Sequence, residues 1–120
     1  MDRMKHVLVV DDDIDSRILL SALLSQMGYV VTSAEDGEEG LRFLRSEGTR
    51  CDAVVADVMM PGMSGVDFAR LTHEVRPELP VALVTGRPDG IDVALDAGTV
   101  PLLKPFRLED LHAVWSGEMA

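Results

Sequence analysis

The sequence predicts an α/β fold, a doubly wound (βα)5 parallel sheet of five strands, and three observations carry that expectation. Five short apolar runs recur along 120 residues: Val7-Leu8-Val9-Val10, Val30-Val31, Ala53-Val54-Val55-Ala56, Val81-Ala82-Leu83-Val84 and Pro101-Leu102-Leu103. They lack strict polar alternation, the pattern of strands covered on both faces. Segments of helical spacing separate and follow them, and the length suits a single domain over 1–120.

Each helix has its own signals. After the first run, Ile14, Ile18, Ala22 and Gln26, with Leu19 and Leu23 alongside, lay down the apolar stripe by which a helix packs, and Gly28 stops it. Asp36-Gly37 opens a second helix, marked by Leu41 and Leu44 and closed by Gly48. Ser64 is the N-cap candidate for a third, carrying Phe68, Leu71 and Val75, and Pro77 ends it. The fourth is short: Asp89 is its capping candidate, Gly90 falls in its first turn and Gly98 closes it after about two turns. Leu108, Leu111 and Trp115, spaced i, i+3, i+7, predict the last.

Composition narrows the function. With 21 acidic against 11 basic residues the formal net charge is −10, a field that repels a phosphate backbone and argues against direct nucleic-acid binding. Cys51 is the only cysteine, which excludes an intrachain disulfide and a cysteine zinc site, and it reads as a small buried hydrophobe. Residues 1–6 lead into only four apolar residues, too few for a signal-peptide core or a membrane span, so a cytoplasmic, reducing setting is expected.

In doubly wound sheets the ligand crevice lies at the carboxyl ends of the strands. The first strand delivers Asp11-Asp12-Asp13 there, the third Asp57, the fourth Thr85 and the fifth Lys104. Carboxylates held a few ångströms apart resist ionising together unless a cation joins them. Mg²⁺ suits such a set, since it takes oxygen ligands and commonly uses one or two carboxylates plus a phosphate. Asp57 would attack phosphorus as a carboxylate nucleophile, with the Lys104 ammonium and the Thr85 hydroxyl neutralising charge on the transferred group. Gly86 leaves room for a phosphodonor. Each residue alone is commonly structural, as a strand-end turn, a cap or a surface charge. The chemistry lies in their joint placement at four strand ends.

Four stretches, taken together, resemble the receiver domains of response regulators: Val7 to Asp13, Ala56-Asp57-Val58-Met59-Met60-Pro61-Gly62-Met63-Ser64-Gly65, Leu83-Val84-Thr85-Gly86, and Leu102-Leu103-Lys104-Pro105-Phe106. The resemblance covers the chain in the family's order. It implies a flavodoxin-like sheet of strand order 2-1-3-4-5 and Mg²⁺-dependent phosphorylation of Asp57 by a histidine kinase, a phosphotransfer protein or a small phosphodonor. By the same resemblance Asp12 is a direct metal ligand, Asp11 acts through a metal-bound water, and the Met59 carbonyl joins Asp57 in the metal set. Thr85 and Lys104 hold the phosphoryl group, the Lys104-Pro105 peptide is cis, and Asp13 begins the helix instead of binding metal. Met59 and Arg87 stand where relatives tune phosphoryl lifetime. Catalysis would extend only to the domain's own phosphorylation and dephosphorylation. Signalling would run by contact with a downstream protein, from a monomer or weak dimer, with no membrane and no nucleic acid.

Two departures bear on output. Pro101 stands where the family usually carries an aromatic that swings inward, and proline has no rotamer to swing. The segment from Thr85 to Lys104 is also shorter than the family's common pattern. An unphosphorylated binding module and a receiver excised from a hybrid kinase are the alternative readings. A magnesium phosphatase of another doubly wound family would need a general-acid Asp two residues after the nucleophile, where Met59 stands.

Overall fold

The computed structural model describes residues 5–47 and 50–116. Strands β1 (His6–Val10), β2 (Val30–Ala34), β3 (Ala53–Asp57), β4 (Val81–Thr85) and β5 (Val100–Leu103) alternate with helices α1 (Ile14–Gln26), α2 (Gly37–Glu47), α3 (Gly65–Val75), α4 (Gly90–Asp96) and α5 (Leu108–Ser116). Every pairing is parallel and the order is β2-β1-β3-β4-β5, as expected. The chain leaves β1 toward β2 on one side and crosses to β3 on the other. The winding therefore reverses between β1 and β3, and the crevice opens beyond their carboxyl ends.

Successive strand residues feed two cores, which is why the runs carry no polar alternation. Leu8, Val10, Val54, Ala56 and Leu83 meet Leu41 and Leu44 of α2 and Phe68 and Ala69 of α3. Val7, Val9, Val55, Ala82 and Val84 meet Leu24 of α1 with Leu111, Val114 and Trp115 of α5. Cys51 is buried at the foot of β3, as expected of a lone thiol there.

Three helix starts follow their cap residues. Asp13 accepts the Ser16 N–H at 3.2 Å and hydroxyl at 2.6 Å, Asp36 accepts the Glu39 N–H at 2.8 Å, and Ser64 accepts the Asp67 N–H at 3.1 Å. Gly28 and Gly98 follow α1 and α4 with φ of +98° and +75°, a region open to glycine. Gly48, expected to close α2, lies outside the described residues.

Other expectations need correction. The Ile14-Ile18-Ala22 row of α1 points outward, with Ile14, Ile18 and Leu19 57–61% exposed, and the buried contact is made by Leu24 with Leu20 half-buried beside it. The helix is apolar nearly all round, so periodicity could not choose its face. Asp89 makes no side-chain cap to α4 and pairs instead with Arg87 at 3.3 Å. β2 extends past Val31 through Thr32, Ser33 and Ala34. It is an edge strand, where polar residues are tolerated, and Thr32 bonds the His6 ring at 2.6 Å.

Pro101 sits in β5, the other edge strand, opposite Leu83. The Lys104 N–H donates to the Thr85 carbonyl at 2.8 Å, so by alternation the nitrogen of Pro101 faces away from β4. No ladder bond is lost, which is the condition for proline in a strand.

Candidate functional site

The register sets the strand ends level. Asp57 closes β3 beside Val84, Thr85 closes β4 beside Leu103, Lys104 follows β5 directly, and Asp11 follows β1. Lys104 Nζ donates to Asp57 Oδ2 at 3.2 Å, and the Met59 N–H reaches Asp57 Oδ1 at 3.3 Å. The Asp57 side chain is 17% exposed and that of Lys104 43%, so the pair is open to a reactant. The Lys104-Pro105 peptide is cis.

Asp11 is the most deeply set carboxylate, 9% exposed. Its Oδ1 accepts the Asp13 N–H at 3.0 Å, and its carbonyl accepts from the Arg17 guanidinium at 2.7 Å. Burial pushes its pKa above the usual carboxylate value of 3.8, against the pull of the Asp13 N–H; the charge of Asp57 adds to the rise, Lys104 offsets it and Asp12 adds a little more. Asp12 is exposed. Asp13 serves as helix cap, and the Ser16 hydroxyl followed by the Ser16 N–H holds its carboxyl below the usual value.

The loop after β3 is shaped by close backbone approach. The Gly65 N–H donates to the Val58 carbonyl at 2.8 Å. A Cβ on Gly65 would stand 2.8 Å from Val58 Cα and 2.9 Å from the Asp57 carbonyl carbon, so only glycine lets α3 start against the acidic strand end. Met60 is buried beneath the loop and Met59 is 70% exposed. Thr85 is buried, and its hydroxyl bonds the backbone of Arg87, not the Asp57 carboxylate. The Arg87 side chain is engaged with Asp89 at the surface.

Asp11, Asp57 and Lys104 thus line one crevice, Thr85 lines a neighbouring depression with Met59 and Arg87, and Asp12 is exposed. Among the described residues no three His, Cys, Asp or Glu side chains gather closely enough to hold a metal by themselves. A hard divalent ion that keeps most of its waters needs only one or two carboxylates, and the charge conflict at Asp11 is one that such an ion relieves. Two features carried no sequence signal. One is the Arg17 bond to the Asp11 carbonyl. The other is an apolar groove of about 600 Å³ between α1 and the start of α5, lined by Leu19, Leu20, Leu23, Phe106 and Leu108 and including Asp57 and Lys104.

The family model described as the response regulator receiver domain matches residues 7–116. The chain belongs to that family. This receiver domain is 43% identical over 112 residues to Response regulator MprA of Mycolicibacterium vanbaalenii, a match covering 90% of the chain and 47% of that protein. It is 42% identical to Response regulator MprA of Mycobacterium ulcerans over the same shares. The receiver domain therefore spans about half the length of these curated relatives. A receiver domain protein from Clostridium thermocellum superposes with a TM-score of 0.88 at 29% identity, covering 95% of this chain and 93% of that one. TrrA from Thermotoga maritima, solved in complex with Mg²⁺-BeF, superposes with a TM-score of 0.81 at 32% identity, covering 91% and 94%. Among the described residues no helix is long and apolar enough to cross a membrane.

Proposed function

We propose that this receiver domain, one unit over residues 1–120, accepts a phosphoryl group on Asp57 from a histidine kinase, a phosphotransfer protein or a small phosphodonor, and signals by protein contact. The observation that carries the reading is the 3.2 Å Lys104–Asp57 pair beside a buried second carboxylate, Asp11, at the switch point of the sheet. One Asp57 oxygen attacks phosphorus while the bond from phosphorus to the donor imidazole, or to the acetate oxygen of acetyl phosphate, breaks in line; the imidazole nitrogen leaves with a proton, and acetate leaves as the anion. Lys104 follows the charge from the carboxylate to the phosphoryl oxygens. Mg²⁺, when bound, would neutralise the acidic cluster and the incoming phosphate. Asp11, Asp12, Asp57 and the Met59 carbonyl would hold it.

Beside this crevice α1 exposes Ile14, Ile18 and Leu19, and Leu19 lines the groove leading to Asp57. An apolar helix face next to the acceptor suits the protein that presents the phosphohistidine. A kinase partner places the domain in the cytoplasm, and its catalysis extends only to its own phosphorylation and dephosphorylation.

The test is incubation with acetyl phosphate and Mg²⁺ followed by intact mass. One added phosphoryl group is expected, absent in Asp57→Ala and with chelator. A chain that takes no phosphoryl group and does not respond to beryllofluoride is instead a binding module that keeps the fold without the chemistry.

A further inference from the structure

The groove between α1 and the start of α5 is amphipathic along its length. Val9 and Val55 of the sheet line it, with Leu20 and Leu23 from α1 and Phe106 and Leu108 from the other side. The last four are only half-buried, so their apolar surface is left for something else to cover. The charged groups, Asp11, Asp57 and Lys104, all belong to the end of the groove at the carboxyl ends of the strands. Ser16 also lines it, but its hydroxyl is spent on Asp13 at 2.6 Å. A volume of about 600 Å³ is that of a small-ligand site, an apolar cleft with a few convergent polar groups. Gly86, which follows β4, lines the charged end; it is exposed, and a Cβ there would meet nothing within 4 Å.

We propose that this groove selects the small phosphodonor: it takes the hydrocarbon chain of an acyl phosphate whose acid is apolar, a medium-chain fatty acyl phosphate. The proposal rests on Asp57 being the phosphoacceptor. The phosphoryl end of such a donor is anionic and is matched by the Lys104 ammonium, while its chain is matched by Leu20, Leu23 and Phe106. In-line attack sets the acyl oxygen on the side of phosphorus opposite Asp57. The chain therefore turns back past Gly86, where no side chain stands in its way, and enters the groove. An Asp57 oxygen bonds to phosphorus, the anhydride oxygen–phosphorus bond breaks, and the fatty acid leaves as its carboxylate anion with no proton transferred. The reacting anhydride is the same at every chain length. A preference between donors thus comes from burial of the chain.

The test compares octanoyl phosphate with acetyl phosphate as donors to the full chain in saturating Mg²⁺, read by intact mass. The second-order labelling rate should be at least about ten-fold higher for octanoyl phosphate, the lower end of what one methylene is worth in an apolar pocket. The gain should appear as a lower KM with the rate at saturation unchanged, because the chain is held equally before and during transfer. Leu23→Trp fills the groove and should bring the ratio between the two donors close to one. Equal donors, or a preference that survives Leu23→Trp, overturns the proposal. NMR of the unsubstituted chain gives a second reading that needs no variant. Octyl phosphate, an unreactive ester, should shift the Leu20 and Leu23 methyls and the Phe106 ring, and methyl phosphate should not. Shifts confined to Ile14 and Ile18 mean adsorption on the outer face of α1 and overturn it. So does a groove that ignores octyl phosphate and is filled only by a protein presenting phosphohistidine. A chain that neither donor labels sinks the phosphoacceptor reading and this one together. A chain that both label alike sinks this one alone.

Discussion

Replacing Asp11 by Asn should stabilise the metal-free domain, although it removes a residue of the acidic crevice. Asn keeps the oxygen that accepts the Asp13 N–H at 3.0 Å, so a bond worth about 1 kcal/mol survives. What disappears is a charge that burial and the repulsion of Asp57 and Asp12 disfavour, against a smaller loss of attraction to Lys104. The raised pKa says that the disfavouring side wins. The net gain should be about 1 kcal/mol at neutral pH, of the size that relieving a charge conflict commonly yields. For a domain of this length that moves Tm up by about 4 °C. The pH dependence follows from the sign of the shift. A carboxyl whose folded pKa is raised favours the fold most below its usual value of 3.8 and loses that contribution as pH rises through the raised value. Variant and wild type should therefore unfold together in acid and separate as pH climbs to 7. The assay is thermal unfolding followed by circular dichroism in chelator, repeated with Mg²⁺, which should stabilise the wild type more than the variant. An Asn variant that is less stable in chelator at pH 7, or a gap that ignores pH, would refute the charge conflict at Asp11.

Three further outcomes are expected. Gly65→Ala drives a Cβ into the backbone of Asp57 and Val58, and should cost roughly 2 kcal/mol or more by urea unfolding. It should also slow acetyl phosphate labelling, and wild-type stability would show that the loop after β3 yields easily. Cys51 is 1% exposed and burial pushes its thiol pKa up, so alkylation at pH 7.5 should wait on unfolding; fast labelling of the native chain would contradict that burial. Ile18→Asp, on the exposed face of α1, should change stability by no more than about 0.5 kcal/mol and leave acetyl phosphate labelling intact. It should slow transfer from the cognate kinase, and an unchanged kinase rate would move the docking face elsewhere.

Much of the fold was legible because five strands buried on both faces leave apolar runs that little else produces. The carboxyl ends of those runs carry Asp11, Asp57, Thr85 and Lys104. A residue pattern is silent where several local solutions satisfy it. α1 carries apolar residues around most of its circumference, so either Leu20 and Leu24 or Ile14 and Ile18 could have met the sheet. Tertiary packing chose the former. Asp89 had a cap's chemistry, but Arg87 two residues earlier offered it a charged partner. The polar half of β2 was invisible because an edge strand needs less apolar surface. Thr85 was placed correctly in the chain, yet no sequence pattern says which way its hydroxyl turns. That is set by the backbone of Arg87, to which it bonds.

Pro101 bears on how copies of the domain meet. An edge strand invites a strand from a neighbour, which would bond to the donors and acceptors facing outward. In β5 one of those outward positions is the nitrogen of Pro101, which carries no hydrogen, near the middle of a four-residue strand. An added strand would meet a gap in its ladder and the bulk of the pyrrolidine ring. The residue that breaks the family's aromatic pattern therefore guards this flank of the sheet against strand exchange and edge-to-edge aggregation.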